Sequence, residues 1–177
     1  MCGSMGVWEG LWISDSGYRM ADDVSIKIIG VGNEWRGDDG VGVAVARALR
    51  EQALPGVTVL EATGEGTALM AAWQDAEVVI LVDAVRSGAE PGKIHRFDAR
   101  DEHLPTDFFH YSTHAFSVAE AVELARVLDQ LPPRIVVYGI EGKTYEAGAE
   151  LSPEVAQGAE HVAERIGAEV VRLRADA

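Results

Sequence analysis

The chain has 177 residues, 47% hydrophobic and 25% charged, the make-up of one globular domain with a real core rather than a disordered or low-complexity chain. Its net charge is −14, from 29 acidic side chains against 15 Lys and Arg, which excludes nucleic acid and anionic membrane as general partners because both need basic surfaces. A single cysteine, Cys2, excludes a disulfide framework and a cysteine zinc site, and no apolar run approaches the ~20 residues of a membrane helix.

Residues 1–23 read as an N-terminal extension ahead of a single domain, 24–177. The extension lacks a basic leader before an apolar stretch, so no signal peptide is expected and a reducing, cytoplasmic setting fits. The domain opens with a predicted strand over Ser25–Val31. A glycine-punctuated turn follows, and then a helix from about Val41 to Gln52 with Val41, Val45, Ala48 and Leu49 on one face. Pro55-Gly56 ends that helix, and Val57–Ala62 reads as a second strand. Gly64 and Gly66 lead into a short helix around Thr67–Trp73. Glu77–Val82 is a third strand, closed by Asp83. It is apolar without alternation, as expected of a strand buried on both faces of a parallel sheet.

Pro91-Gly92 sets off a short strand, Lys93–Phe97, close enough behind the third to favour antiparallel pairing. Ser117 and Glu120 form a capping box for a helix reaching about Leu131, where Pro132-Pro133 stops it. Arg134–Ile140 is the fifth strand. Ser152 as N-cap and Pro153 at the first helical position start the last long helix. Gly167 is placed to end it, leaving Glu169–Leu173 as strand or helix. Alternating strands and helices predict an α/β fold, a three-layer sandwich around a mixed, mostly parallel sheet.

Between Ile28 and Gly42 the sequence places two carboxylates, Asp38 and Asp39, where a strand ends and a helix begins. Open α/β sheets bind ligands in that crevice. Gly30 and Gly32 start a dinucleotide fingerprint, but Trp35 stands where the third glycine belongs, and paired aspartates repel phosphate. Asp83 occupies the equivalent place after the third strand, and His114 lies just before a helix. If the first and third strands are parallel neighbours, Asp39 and Asp83 face one crevice, and a loop can bring His114 over it. Two carboxylates and an imidazole suit a first-row divalent metal, which polarises a carbonyl or acidifies a bound water.

Plainer roles exist for each. Asp38 or Asp39 can cap the following helix, Asp83 can cap a turn, and a lone histidine is more often structural. Glu61 closes the second strand and reads either as a support behind the site or as a loop anchor, while His95, His103, His110 and His161 read as surface or packing residues. No phosphate loop, H-E-x-x-H helix or nucleophile elbow is present.

The chain resembles the hydrogenase maturation endopeptidases. The resemblance is carried by Gly30-Val31-Gly32-Asn33, Gly37-Asp38-Asp39-Gly40-Val41-Gly42, Val82-Asp83-Ala84 with Gly92, Ser112-Thr113-His114, Tyr138-Gly139-Ile140-Glu141 and Leu151-Ser152-Pro153-Glu154-Val155. These pieces run in unbroken order over about residues 25–166. The resemblance implies a five-stranded mixed sheet between helices, of the phosphorylase/hydrolase-like kind. It implies that Asp39, Asp83 and His114 contact nickel and, with Asp38, form the catalytic set. It further implies that the nickel arrives in the substrate, the precursor of a nickel–iron hydrogenase large subunit, whose C-terminal tail is removed once the metal is in place. Some relatives carry glutamate where this chain has Asp39, so the reach here is one methylene shorter. Glu61-Ala62-Thr63-Gly64 departs from a more glycine-rich loop. The rival readings are a nickel-binding hydrogenase accessory protein that cuts nothing and a nucleotide-binding module on the first turn.

Overall fold

A computed structural model describes residues 24–109 and 117–175. The expected extension, residues 1–23, and two of the histidines, His110 and His114, lie outside the described residues. Five strands form one sheet: β1 (Ile26–Val31), β2 (Val57–Ala62), β3 (Val78–Val85), β4 (Ile94–Asp98) and β5 (Arg134–Glu141). Their order is β2-β1-β3-β5-β4. All neighbours are parallel except β4, which runs antiparallel to β5. Helices α1 (Val41–Glu51), α2 (Gly66–Ala72), α3 (Val118–Val127) and α4 (Pro153–Ala175) complete the three layers. The expected α/β sandwich with a mixed, mostly parallel sheet is the one observed.

The sheet divides the core in two. Ile28, Ile80, Val82 and Val136 pack with Val41, Val45 and Leu49 of α1 and with Val155, Val162 and Ile166 of α4. Ile29, Val79, Leu81 and Val137 pack on the other face with Leu69 of α2 and with Val118, Val122 and Ala125 of α3. Every residue of β3 is buried, which is why that strand shows no alternation in the sequence. Fully burying each such Ile or Leu contributes about 1.5–3 kcal/mol. The predicted capping box of α3 is present: the Ser117 hydroxyl accepts from Glu120 N, and the Glu120 carboxylate accepts from Ser117 N.

Three boundaries differ from expectation by more than one residue. Strand β3 does not close at Val82; it runs to Val85, because Asp83, Ala84 and Val85 pair with Gly139, Ile140 and Glu141 of β5 after β1 has ended. Helix α4 does not end at Gly167, since Val170 and Leu173 continue the apolar stripe of Val162 and Ile166 onto the sheet. Helix α3 stops at Val127 rather than near Leu131, with Asp129 in a left-handed turn (φ 55°). No helix among the described residues is long and apolar enough to cross a membrane.

Candidate functional site

The crevice forms at the carboxyl ends of β1 and β3, which are parallel neighbours. Helix α1 comes down directly onto those ends. A Cβ on Gly42 would collide with the carbonyl oxygens of Val31 and Val82, so only glycine lets the first turn of α1 sit there. The approach also threads the preceding 3-10 turn, Gly37–Gly40, through the mouth of the strand-one loop. At Gly32 (φ +142°) a side chain would strike the Asp39 carbonyl. The Gly32 amide donates to Ala62 O at 3.0 Å and the Asn33 amide to Asp39 O at 3.1 Å. These amides are spent on the fold, not held open for a phosphate, which removes the basis for a nucleotide site at this turn.

Asp38 is fully buried, and neither the 3-10 turn nor α1 has a side-chain cap. The expected helix-capping role therefore gives way to a longer-range one. Its carboxylate accepts from Lys143 N (2.8 Å), Thr144 N (2.8 Å), Ser152 N (2.6 Å) and Ser152 Oγ (2.8 Å). Its own amide donates to Thr144 O at 2.9 Å. One side chain thus ties residues 143–152 and the start of α4 to the crevice. Ser152 does precede α4, but its hydroxyl serves Asp38.

Asp39 and Asp83 are the two carboxylates left facing the crevice, 8% and 6% exposed. Arg36 Nη1 stands 3.9 Å from Asp39. Asp83 accepts from Ala84 N at 2.8 Å, and among the described residues no cationic side chain pairs with it. Burial, and then the negative charge of Asp39, push the Asp83 carboxyl well above the ordinary carboxylate range. Two such carboxylates are stabilised together by a shared proton or by a cation set between them. Among the described residues no group of three His, Cys, Asp or Glu side chains forms a metal-holding cluster. The pair supplies two hard oxygen donors, and the third expected donor, His114, lies outside the described residues.

The next shell is built by a residue that pattern reading did not single out for chemistry. Glu141, 1% exposed at the end of β5, accepts from Ser87 N, Gly88 N and Ser87 Oγ, the last at 2.7 Å. It holds the loop that leaves β3 beside Asp83. His95 Nε2 lies 3.7 Å from the same carboxylate, and its ring packs against Phe97 and Phe108, the packing role expected of it. Tyr145 donates to Val85 O at 3.0 Å, with Arg86 over its ring at 5.0 Å. Burial pushes the Tyr145 phenol up. An acid closing a buried strand was the available signal for Glu141; nothing local marks Tyr145. Glu61 ties α1 to β2 rather than anchoring a loop, bridging Arg47 (3.1 Å) and Arg50 (2.7 Å).

Residues 43–169 match the family model described as hydrogenase maturation protease. The chain is 31% identical to the hydrogenase expression/formation protein HupD of Bradyrhizobium diazoefficiens over 76% of this chain and 72% of that protein. It is 28% identical to the hydrogenase 2 maturation protease of Escherichia coli over 73% of this chain and 80% of that protein. Among solved structures it is similar to the hydrogenase maturating endopeptidase HybD of E. coli, with a TM-score of 0.72 and 26% identity, covering 84% of this chain and 93% of that one.

Proposed function

Because the chain belongs to the hydrogenase maturation protease family, a family of peptidases, we propose that it removes the C-terminal peptide from the precursor of a nickel–iron hydrogenase large subunit after nickel has been inserted. The observation that carries this reading is the pairing of Asp39 and Asp83 in one crevice, with the Asp83 carboxyl raised and unpaired with any cation among the described residues. Such a pair is complementary to a cation that comes and goes. Nickel is here part of the substrate. Its arrival with the precursor offers the two carboxylates and His114 a shared cation and sets the tail against the site. The ordering of events follows: an unloaded precursor brings no cation and is not held.

Asp38 is a positioning residue in this scheme, since hydrogen bonds already occupy its carboxylate. Asp39 is the group assigned to take the proton of the attacking water. The test is a processing assay with purified protein and nickel-loaded or nickel-free precursor, following the precursor's C-terminal mass. Loss of a short tail from the loaded form alone is expected. Equal cleavage of both forms overturns nickel reading but keeps the protease. Failure to cut the loaded precursor moves the assignment to a nickel-binding accessory protein.

A further inference from the structure

A second concave site lies away from the carboxylates. Arg96 of β4, Arg134 and Tyr138 of β5, and Arg165, Glu169 and Arg172 of α4 line a cavity of about 420 Å³. Arg134 is the first residue of β5, whereas Asp83 pairs with Gly139 near the other end of that strand. Five strand residues separate the two levels by about 17 Å. Tyr138 is next to Gly139 but points to the α4 face of the sheet, whereas Asp83 shares the opposite face with Leu81 and Val85, so the cavity is not a continuation of the crevice.

Its charge is opposite to that of the molecule. Four of the chain's 15 Lys and Arg gather here in a protein of net charge −14, around one carboxylate. That carboxylate is the inner anchor. Glu169 accepts from Arg96 at 2.6 Å and from the Tyr138 hydroxyl at 2.8 Å, and it lies 3.7 Å from Arg134. Burial works against its charge, but the bonds from Arg96 and Tyr138 prevail and hold it ionised. Arg96 also lies over the Tyr138 ring at 5.9 Å, so its plane is fixed from two sides. Arg165 and Arg172 stand one turn before and one turn after Glu169 on the same helix face. Among the described residues neither pairs with an acid. Four guanidinium groups against one carboxylate leave three positive charges around a small hollow.

We propose that this cavity is a binding site for a small molecule carrying two adjacent phosphate groups. Guanidinium forks meet phosphate oxygens in bidentate fashion, and several converging forks select a ligand with several adjacent oxyanions. The volume falls in the range of small-ligand pockets, about 300–1,000 Å³. A diphosphate brings close to the three negative charges the cavity lacks. The shared chemistry is the diphosphate; its source is inorganic pyrophosphate or a nucleoside diphosphate.

The test is calorimetric titration of the full-length, metal-free protein with pyrophosphate at low salt, repeated with ADP and with citrate. One-to-one saturable binding of pyrophosphate is expected, weakened about tenfold in each of Arg165→Ala and Arg172→Ala. Both side chains are exposed, and unchanged thermal unfolding shows that the variants are folded. ADP binding as tightly as pyrophosphate, or more so, supports a nucleotide source; much weaker ADP binding supports the inorganic one. Absence of saturable pyrophosphate binding, binding unchanged in both variants, or tighter binding of citrate overturns the proposal.

Discussion

Asp38 and Asp83 are both buried carboxylates, yet their surroundings give them opposite effects on stability. Asp38 is surrounded by donors. Asparagine there must aim its amide at N–H groups, so Asp38→Asn is expected to cost roughly 3 kcal/mol and roughly 10 °C in Tm. Asp83 is surrounded by burial and by the charge of Asp39. A raised carboxyl pKa means that the folded chain holds its proton more tightly than the unfolded chain. Folding is thus penalised as pH rises above the ordinary value of 3.8. Asp83→Asn removes that penalty, keeps an oxygen for Ala84 N and turns its amide toward Asp39. It is expected to raise Tm by a few degrees at neutral pH while processing falls at least about a hundredfold. A lower Tm for Asp83→Asn would refute this account. His95, which lies opposite Gly139 from Asp83 across β5, carries a pH dependence of the other sign. Burial holds its imidazole below the ordinary 6.5, against the pull of Glu141. The unfolded chain therefore takes the proton first as pH falls, and the stability lent by the neutral ring is present above 6.5 and lost as pH drops through the folded value. Phenylalanine keeps the stack on Phe97 and Phe108. Urea midpoints of wild type and His95→Phe should differ by a constant amount above 6.5 and shift in the variant's favour below it.

At the scale of elements, the site is an intersection rather than a segment. Strand β3 contributes Asp83 only because β5 carries it past the end of β1. The 3-10 turn contributes Asp39 only because α1 is allowed onto the strand ends by Gly42. A methyl at Gly42 meets two backbone carbonyls, neither of which can rotate away as a side chain does. Gly42→Ala is therefore expected to cost about 3 kcal/mol and to lose processing more completely than its stability loss explains, because α1 must move and take Asp39 with it. Retained wild-type processing in a folded Gly42→Ala protein would show that the placement of α1 is not what sets the carboxylate pair. These elements were largely legible in the sequence, since hydrophobic period, proline and glycine punctuation and the Ser117–Glu120 box are local signals. The end of helix α4 is not legible at Gly167, because a glycine inside a helix looks like one beyond its end; the buried Val170 and the partly buried Leu173 decide between them. The role of Asp38 was not legible at all. Its partners lie 105 to 114 residues away, and three of its four bonds come from backbone amides, which carry no residue signature.

For the whole molecule, the question is how a chain of net charge −14 keeps a fold whose centre holds further negative charge. Part of the answer is segregation. The exposed network of Arg47 with Glu34 and Glu61, and of Arg50 with Glu61, pairs acids along the α1–β2 edge, and the arginines of β4, β5 and α4 gather around Glu169. What remains unpaired is a diffuse excess of carboxylates, and its self-repulsion acts on the compact state more than on the expanded one. Salt weakens both contributions. Exposed ion pairs are worth about 0–1 kcal/mol each, so screening them costs little. The repulsion sums over the whole excess and is screened over about 10 Å at moderate ionic strength. The sign is therefore set by net charge: Tm is expected to rise as NaCl is added from near zero to physiological strength. A Tm that falls with salt in thermal melts at neutral pH would mean that the paired networks, not the excess, dominate the electrostatics of this fold. The same imbalance bears on recognition, because an acidic body favours a cationic partner surface and makes the cavity around Glu169, with its four arginines, a local reversal of charge suited to an anion.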